Sequence, residues 1–584
     1  MRDVMHRVDF CVVGGGLAGM AAAIAAARHG VRVALMQDRP VLGGNVSSEI
    51  RMWICGAHGT NNRETGIVEE LELENRYRNP LRNYSIWDSV LYEKVRFEPN
   101  ITMLLNCSCN SVEMDGDRIA TIKGWQTTSE TWHTVAADLF ADCSGDSVLA
   151  PLTGAVYRVG REARAEFDED IEPEQADRKT MGMSCLIQAR ETDRQQSFLP
   201  PAWANVYETC DDLPYRGHDI LSTNFWWIEL GGEQDSIHDT EAVRDELLKV
   251  AFGVWDHIKN RGDHGADNWT LEWVGFLPGK RESRRYEGDV IVTQNDVRTE
   301  GRFEDLVAYG GWTMDDHHPG GITWAGQPTI FHPAPSPFGI PYRALYSRNV
   351  ANLFCAGRNI SVTHAAMSAT RVMATCATVG QAVGTAASIA VRDGLSPRDI
   401  TVQRIDELQQ TLMDDDCYLP WRRRQVPALS QRATLTASEG NPEPLRNGLD
   451  RPIGTEDNGW TAHLGAWAEY RFDGPTQVTG LRFTFDSDLN RPEKSTPANI
   501  PLDMPEIAPP ATLVRAFRIL AQGEPNEWRE VARVDANHQR LVRLPVDVTT
   551  CAVRFIPEAT WGAGEAHVFA WDVQGPDTGG YREP

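Results

Sequence analysis

Asp9-Phe10-Cys11-Val12-Val13-Gly14-Gly15-Gly16-Leu17-Ala18-Gly19 decides the fold of this chain. An apolar strand runs into three glycines, and an alanine-rich helix, Leu17 to about Gly30, follows at once. Gly14 permits the tight turn, Gly16 admits a pyrophosphate close to the backbone, and Gly19 lets the helix sit on the sheet. The helix N-terminus then offers its amides to phosphate. A second strand, Val31 to Met36, stands where a βαβ unit requires it. The stretch therefore predicts a dinucleotide site, with Leu17 and Ala18 beside the phosphates.

The chain has 584 residues, too many for one core. Hydrophobic content of 41% with 24% charged residues reads as a globular protein. A net charge of −25 argues against nucleic acid or an anionic membrane as partner. Met1 to Val8 is short and polar, so no secretory signal is read, and no apolar run is read as a membrane span. The eleven cysteines are odd in number and scattered, which predicts reduced thiols and a cytoplasmic location. No metal site is read: Cys107 and Cys109 lack a second ligand pair nearby, and His317-His318 with two neighbouring aspartates need not converge.

Strand and helix signals alternate over 1–154, the first part of a nucleotide-binding domain. Asp138 to Asp146 is another apolar strand ending in a turn, where Gly145 and Asp146 are candidate cofactor contacts. Residues 155–335 are mixed and rich in tryptophan, and read as an inserted α+β substrate domain. Residues 336–415 return to α/β signals: a short strand, Val350 to Ala356, the turn Gly357-Arg358-Asn359, and one long small-residue helix from about Thr363 to Arg392. Residues 416–431 have linker character. From 432 to 584, short strands such as Trp467–Phe472, Gly480–Phe485, Val514–Leu520 and Cys551–Ile556 predict an all-β jelly roll or sandwich.

Three motifs occur in order: Gly43-Gly44-Asn45 through Arg51-Met52-Trp53, Gly279-Lys280-Arg281-Glu282-Ser283-Arg284-Arg285, and Gly357 to Met373. Together they resemble the bacterial FAD-dependent oxidoreductase family, which has a glutathione-reductase-type FAD fold and is distantly similar to fumarate-reductase flavoproteins. The resemblance covers roughly residues 8–415. It implies FAD in a Rossmann-like domain, and redox chemistry without a defined substrate; non-covalent binding is expected because no histidine lies in the stretch around Gly44. The late turn would deliver the chain to the ribityl, and the helix after it would aim its N-terminus at the flavin. The end of the second strand usually carries an acid for the adenosine ribose; here Gln37 stands there with Asp38 next, and either serves. Asn359 replaces an aspartate common in related folds. Asn447-Gly448-Leu449-Asp450, Trp460 and Thr560-Trp561-Gly562 resemble, more weakly, a discoidin-type galactose-binding-like module.

Candidate catalytic groups are His364, at the start of the late helix, and His58, in the loop after Trp53; His317, His318 and His332 are further histidines. Arg51, Arg281 and Arg284 could hold substrate oxygens or stabilise reduced flavin, with Arg51 also a cofactor contact. Trp226, Trp227, Trp312 and Trp324 are either sugar platforms or core. The leading expectation is oxidation of a secondary alcohol of a sugar or glycoside by hydride transfer to the flavin, with electrons leaving to an unassigned acceptor. The alternatives are C=C dehydrogenation or reduction of a small organic acid, with Arg281 or Arg284 on a carboxylate, and a carbohydrate-binding protein with a structural flavin. The C-terminal domain is expected to be structural or oligomer-forming.

Overall fold

The computed structural model of the chain describes residues 1–492, 494–523 and 527–576. It divides into two compact units. The first comprises Met1–Ala57, Leu81–Ile405 and Lys494–Glu506; the second comprises His58–Pro80, Asp406–Glu493 and Ile507–Pro584.

The first unit is built on five parallel strands: β1 (Phe10–Val13), β2 (Val33–Met36), β3 (Ile101–Leu104), β4 (Leu139–Asp142) and β5 (Leu353–Cys355). Their spatial order is β5-β4-β1-β2-β3. The order reverses beside β1, and at such a switch point a crevice opens beyond the carboxyl ends of the strands. β1, β2, β4 and β5 are buried at every residue, as expected of parallel strands covered on both faces. A separate sheet, formed by Arg2–Arg7, Thr131–Ala136, Arg118–Gln126 and Cys107–Asp115, connects β3 to β4.

Helix α1 (Leu17–Arg28) is buried all round except at Arg28, because it lies between the sheet and a late helix. The single late helix expected from Thr363 is two: α2 (His364–Thr370) and α3 (Met373–Asp393). The break falls at Arg371-Val372, where Val372 is extended at ψ 148°. α3 has the length and hydropathy to cross a membrane, contrary to the expectation that no such run exists, but 94% of that stretch is buried inside the protein.

Much of 155–335 forms small sheets around a long helix, Thr240–Asn260, whose apolar face packs Leu247, Val254, Trp255 and Ile258 with Phe225 and Trp227. Other parts join the parallel-sheet region: Arg284–Tyr286 pairs with Tyr157–Val159, and Leu306–Gly310 pairs with Phe338–Pro341.

The second unit is an antiparallel β-sandwich on two long, bent strands, Ala468–Phe485 and Leu541–Thr560. The four expected strand segments fall within these two and Val514–Gln522. Phe483, Phe485, Phe517, Phe555 and Trp571 form its core. The stretch read as a linker, 416–431, is tightly held: Cys417, Leu419, Arg424, Leu429 and Ser430 are buried, and Ala428–Arg432 is helical. Helix Ile67–Arg78, far away in sequence, belongs to this unit and meets it through Glu74 and Tyr77 on His538.

Candidate functional site

A cavity opens at the carboxyl ends of β1 and β2, lined entirely by the first unit. Its floor is the glycine turn. Gly14 has φ +104°, and a Cβ there would lie 2.4 Å from the Cys143 carbonyl oxygen. A Cβ on Gly19 would lie 1.8 Å from the Gly14 carbonyl oxygen. Both glycines are therefore demanded by the protein's own packing. Gly16 is different: its nearest neighbour for a Cβ is the Gly44 Cα at 4.0 Å. A side chain at Gly16 would project into the cavity mouth rather than into protein, which fits a backbone approached by a pyrophosphate. Gly43 and Gly44, at φ +97° and +59°, bring a second turn against the first, bridged from Gly43 to Gly16.

At the end of β2 the two ribose candidates separate. Gln37 Oε1 accepts from Gly15 N at 2.7 Å and its Nε2 donates to the Val41 carbonyl at 3.3 Å. Its amide is thus spent on shaping the glycine turn, while the Asp38 side chain is exposed at the cavity. Of the two, only Asp38 keeps a side chain turned to solvent at the cavity.

Gly145, Asp146, Gly357 and Arg358 form another wall. Asp146 bridges Lys280 Nζ and Arg358 NH2, each at 2.8 Å. Burial alone would raise its carboxyl, but Arg358 and Lys280 hold it down to about 2. Asn45 also lines the cavity and donates to the Lys280 carbonyl at 3.3 Å.

Two further arginines, Arg281 and Arg371, also line the cavity. Arg281 donates to Ser184 Oγ and to the Trp226 carbonyl, and pairs with Glu229 at 3.4 Å. Glu229, 1% exposed, also faces His317 Nδ1 at 2.7 Å. His317 Nε2 faces Asp315 at 3.3 Å, and Asp315 receives Arg371, also at 3.3 Å. The relay Arg281–Glu229–His317–Asp315–Arg371 thus joins two cavity-lining arginines through buried groups. Burial would raise both carboxyls; Arg281 and His317 outweigh it at Glu229, and His317 and Arg371 at Asp315, so both lie below the usual range. Both ring nitrogens of His317 face carboxylate oxygens. Met373 and Cys376 bring the first turn of α3 to the cavity.

Six sequence candidates are not among the cavity's lining residues. Gly19 acts one layer down, in helix packing. Asn359 is wholly buried and donates towards Asp142, tying β5 to β4. Arg51, at φ +60°, donates to Gln188 at 2.6 Å and stacks between Tyr84 and Trp273. Arg284 lies over Tyr157 on its paired strand. His58 falls in the second unit. His364 is 1% exposed, with Nδ1 2.8 Å from Glu282 and Nε2 3.2 Å from Asp316. Burial opposes its charge, but those two carboxylates raise its pKa well above the ordinary value. Both of its ring nitrogens are engaged by carboxylates in an ion cluster, so neither is free to act as a base. The helix it starts does not address the cavity either, because Glu162, Glu169 and Glu172 occupy the N-terminal amides and cap of α2. The N-terminus that reaches the cavity is that of α3.

The reading of the sequence missed Arg371 as a site residue. A single charged residue interrupting a run of small ones was the available signal, since it marks the helix break. Glu229 and Asp315 carry no such signal.

Strand order, glycine turn and cavity define a dinucleotide-binding α/β protein. The chain belongs to the FAD dependent oxidoreductase family, whose model matches residues 9–412. It is an FAD-dependent oxidoreductase, and the open Gly16 cradle, the exposed Asp38 and the α3 N-terminus suit that cofactor. No curated protein matches the chain in sequence. Among solved structures, it is similar to a family 32 carbohydrate-binding module from Streptococcus pneumoniae EndoD at 14% identity, covering 26% of this chain and 98% of that one, TM-score 0.20. It is also similar to the family 32 module of Clostridium perfringens NanJ in complex with galactose, at 10% identity over 25% and 97%, TM-score 0.19. A glycerol-3-phosphate dehydrogenase from Bacillus halodurans complexed with FAD matches at 12% identity over 34% and 43%, TM-score 0.20. Scores of this size leave the fold resting on the strand order and pairing described above.

Proposed function

We propose that this oxidoreductase acts on a small organic acid, dehydrogenating or reducing a carbon–carbon bond near a carboxylate that Arg281 and Arg371 hold. The observation that carries the reading is the arginine relay: Arg281 and Arg371 both line the cavity, joined through Glu229, His317 and Asp315. Two cavity-lining guanidiniums suit a carboxylate, which can accept charge-assisted hydrogen bonds from them. FAD, when bound, supplies the hydride acceptor or donor. The chain's own part is positional. Arg281 and Arg371 orient the carboxylate, Glu229 and Asp315 keep the two guanidiniums in place, and Trp226, T-shaped to His317 at 5.3 Å, closes the wall.

Oxidation of a sugar or glycoside alcohol needs a base near the hydroxyl. Among the described residues lining the cavity there is no histidine, and the acids there, Asp38 and Asp146, stand at the second strand's end and in the Lys280–Arg358 pair. Anaerobic titration of the holoenzyme separates the readings. Bleaching of the flavin by one of a panel of small acids, with affinity lost in Arg281→Gln, supports the proposal. Bleaching by a neutral sugar or glycoside, unchanged in Arg281→Gln, overturns it in favour of alcohol oxidation.

A further inference from the structure

We infer that Cys210, His218, His257 and His264 bind one zinc ion as a structural site, apart from the flavin cavity. The four come from different pieces of the first unit. Cys210 opens the short turn Cys210–Asp212, His218 lies in the loop after it, His257 is in the last turn of helix Thr240–Asn260, and His264 follows that helix. One potential ligand atom from each lies within 4.8 Å of every other. Cys210 Sγ is 3.7 Å from His257 Nε2 and 4.0 Å from His264 Nε2, and the two imidazole nitrogens are 3.2 Å apart. A tetrahedral zinc with its usual bond lengths asks for nitrogens about 3.3 Å apart and sulfur about 3.6 Å from each nitrogen. The three rings surround a common point, with every pair of centroids 4.9 Å apart.

Two further details point to an ion. His257 Nδ1 lies 2.9 Å from the Tyr207 carbonyl, so its proton sits on Nδ1 and the Nε2 lone pair faces the cluster. A carbonyl behind a ligating imidazole is the usual outer partner of a metal-bound histidine. His218 Nε2 is buried and has no hydrogen-bond partner. A buried ring nitrogen without a partner asks for an explanation, and a cation among four donors supplies it.

One thiolate with three imidazoles in this geometry selects zinc over magnesium or calcium, which prefer oxygen. Four protein ligands leave no open position, so the ion would brace the fold rather than react. On binding, Cys210 gives up its thiol proton to solvent. The ion would fasten the Cys210–His218 loop to the helix that carries Trp255 and the neighbouring core. The spacings C-x7-H and H-x6-H match no familiar finger, which is why the sequence concealed the set.

The test is metal analysis of the full-length, FAD-loaded protein after dialysis against a mild chelator. About one zinc per chain is expected, falling roughly tenfold or more in Cys210→Ser and in His264→Ala, with flavin content unchanged. Cobalt uptake by zinc-stripped protein should give d–d bands to the red of the flavin absorption, absent in Cys210→Ser. Wild-type protein that holds no zinc and takes none up when offered an equimolar amount overturns the inference. So do variants that keep a full complement. If a variant does not fold, the wild-type metal content and cobalt spectrum still decide.

Discussion

Gly380 of α3 lies against Ala18 of α1 so closely that a Cβ at 380 would sit 2.0 Å from the Ala18 carbonyl oxygen. One turn on, a Cβ at Gly384 would sit 2.1 Å from the Ala22 carbonyl oxygen. This glycine pair, four residues apart, fixes the approach of the helix that follows the first glycine turn to the helix that brings Met373 and Cys376 to the cavity. Backbone cannot yield as a side-chain tip can. Gly380→Ala should therefore cost about 3 kcal/mol, the upper part of the overpacking range. It should also release FAD, because both helix N-termini move. Urea unfolding and the flavin absorbance of the purified variant check this; an unchanged midpoint with full flavin would refute it.

Gly16 and Gly19 should separate binding from folding. Gly16 has φ −68° and ψ 177°, which alanine adopts freely, and its Cβ direction is open. Gly16→Ala should fold within about 0.5 kcal/mol of wild type, the range of an unstrained substitution. It should bind FAD at least tenfold more weakly, about 1.4 kcal/mol. Gly19→Ala, driven into the Gly14 carbonyl, should fail to accumulate as folded protein. Equal FAD affinity in Gly16→Ala and wild type would remove the pyrophosphate from this turn.

Glu172 predicts a pH dependence. Its Oε1 accepts from Ala365 N at 2.8 Å, among the carboxylates at the start of α2. Burial raises its carboxyl to about 7, with Glu162 and Glu169 adding to the rise and His364 opposing it. Between the unfolded value of 4.5 and about 7 the native state binds more protons than the unfolded chain. Stability from this group is therefore fully present below 4.5 and is lost as pH rises through 7. Glu172→Gln keeps the acceptor and removes the charge. It should be more stable than wild type at pH 8 by about 1–3 kcal/mol and equal to it near pH 4. Denaturant melts at the two pH values give the comparison; an identical wild-type advantage at both would contradict it.

In the second unit, Arg491 NH2 meets Glu69 Oε2 at 2.6 Å, and both residues are almost fully buried. Burial would raise Glu69, but Arg491 holds it down to about 2. Removing one partner strands the other charge, so Arg491→Met should cost about 3–5 kcal/mol. The double variant Arg491→Met with Glu69→Leu should recover much of it. Double-mutant denaturation curves test the pairing, and additive losses would deny it.

What the sequence made legible follows physical range. The cofactor end depends on a contiguous strand, turn and helix, so Gly14, Gly16, Leu17 and Ala18 could be read directly, and each lines the cavity. Gly43, Gly44, Gly145, Asp146, Gly357 and Arg358 line it as well, found from motifs rather than periodicity. The polar relay was not legible, because Glu229, Asp315 and Arg371 converge only in the folded chain. His364 misled for a related reason. A histidine opening a small-residue helix looks reactive until Glu282 and Asp316 are placed against its two nitrogens. The helix break after Thr370 was visible only as an arginine and a valine among alanines and threonines. Helix Ile67–Arg78 joined the second unit through contacts more than 400 residues away, such as Arg491 on Glu69, which no local pattern encodes.

Arg371 separates anion binding from simple bracing. It donates through NH2 to the Asp315 carbonyl at 3.1 Å and carboxylate at 3.3 Å, while its Nε finds no acceptor in the protein. Arg371→Lys keeps a cation but loses the planar fork, so one charge-assisted hydrogen bond to a carboxylate is forfeited. That loss is about 1.5–3 kcal/mol, or roughly 10–100-fold in the dissociation constant of the acid that reduces the flavin. Flavin content and thermal midpoint should stay near wild type, since Asp315 keeps its contacts with His317 and Thr329. If Arg371 only braces Asp315, the pattern reverses: the midpoint falls and the acid binds as before.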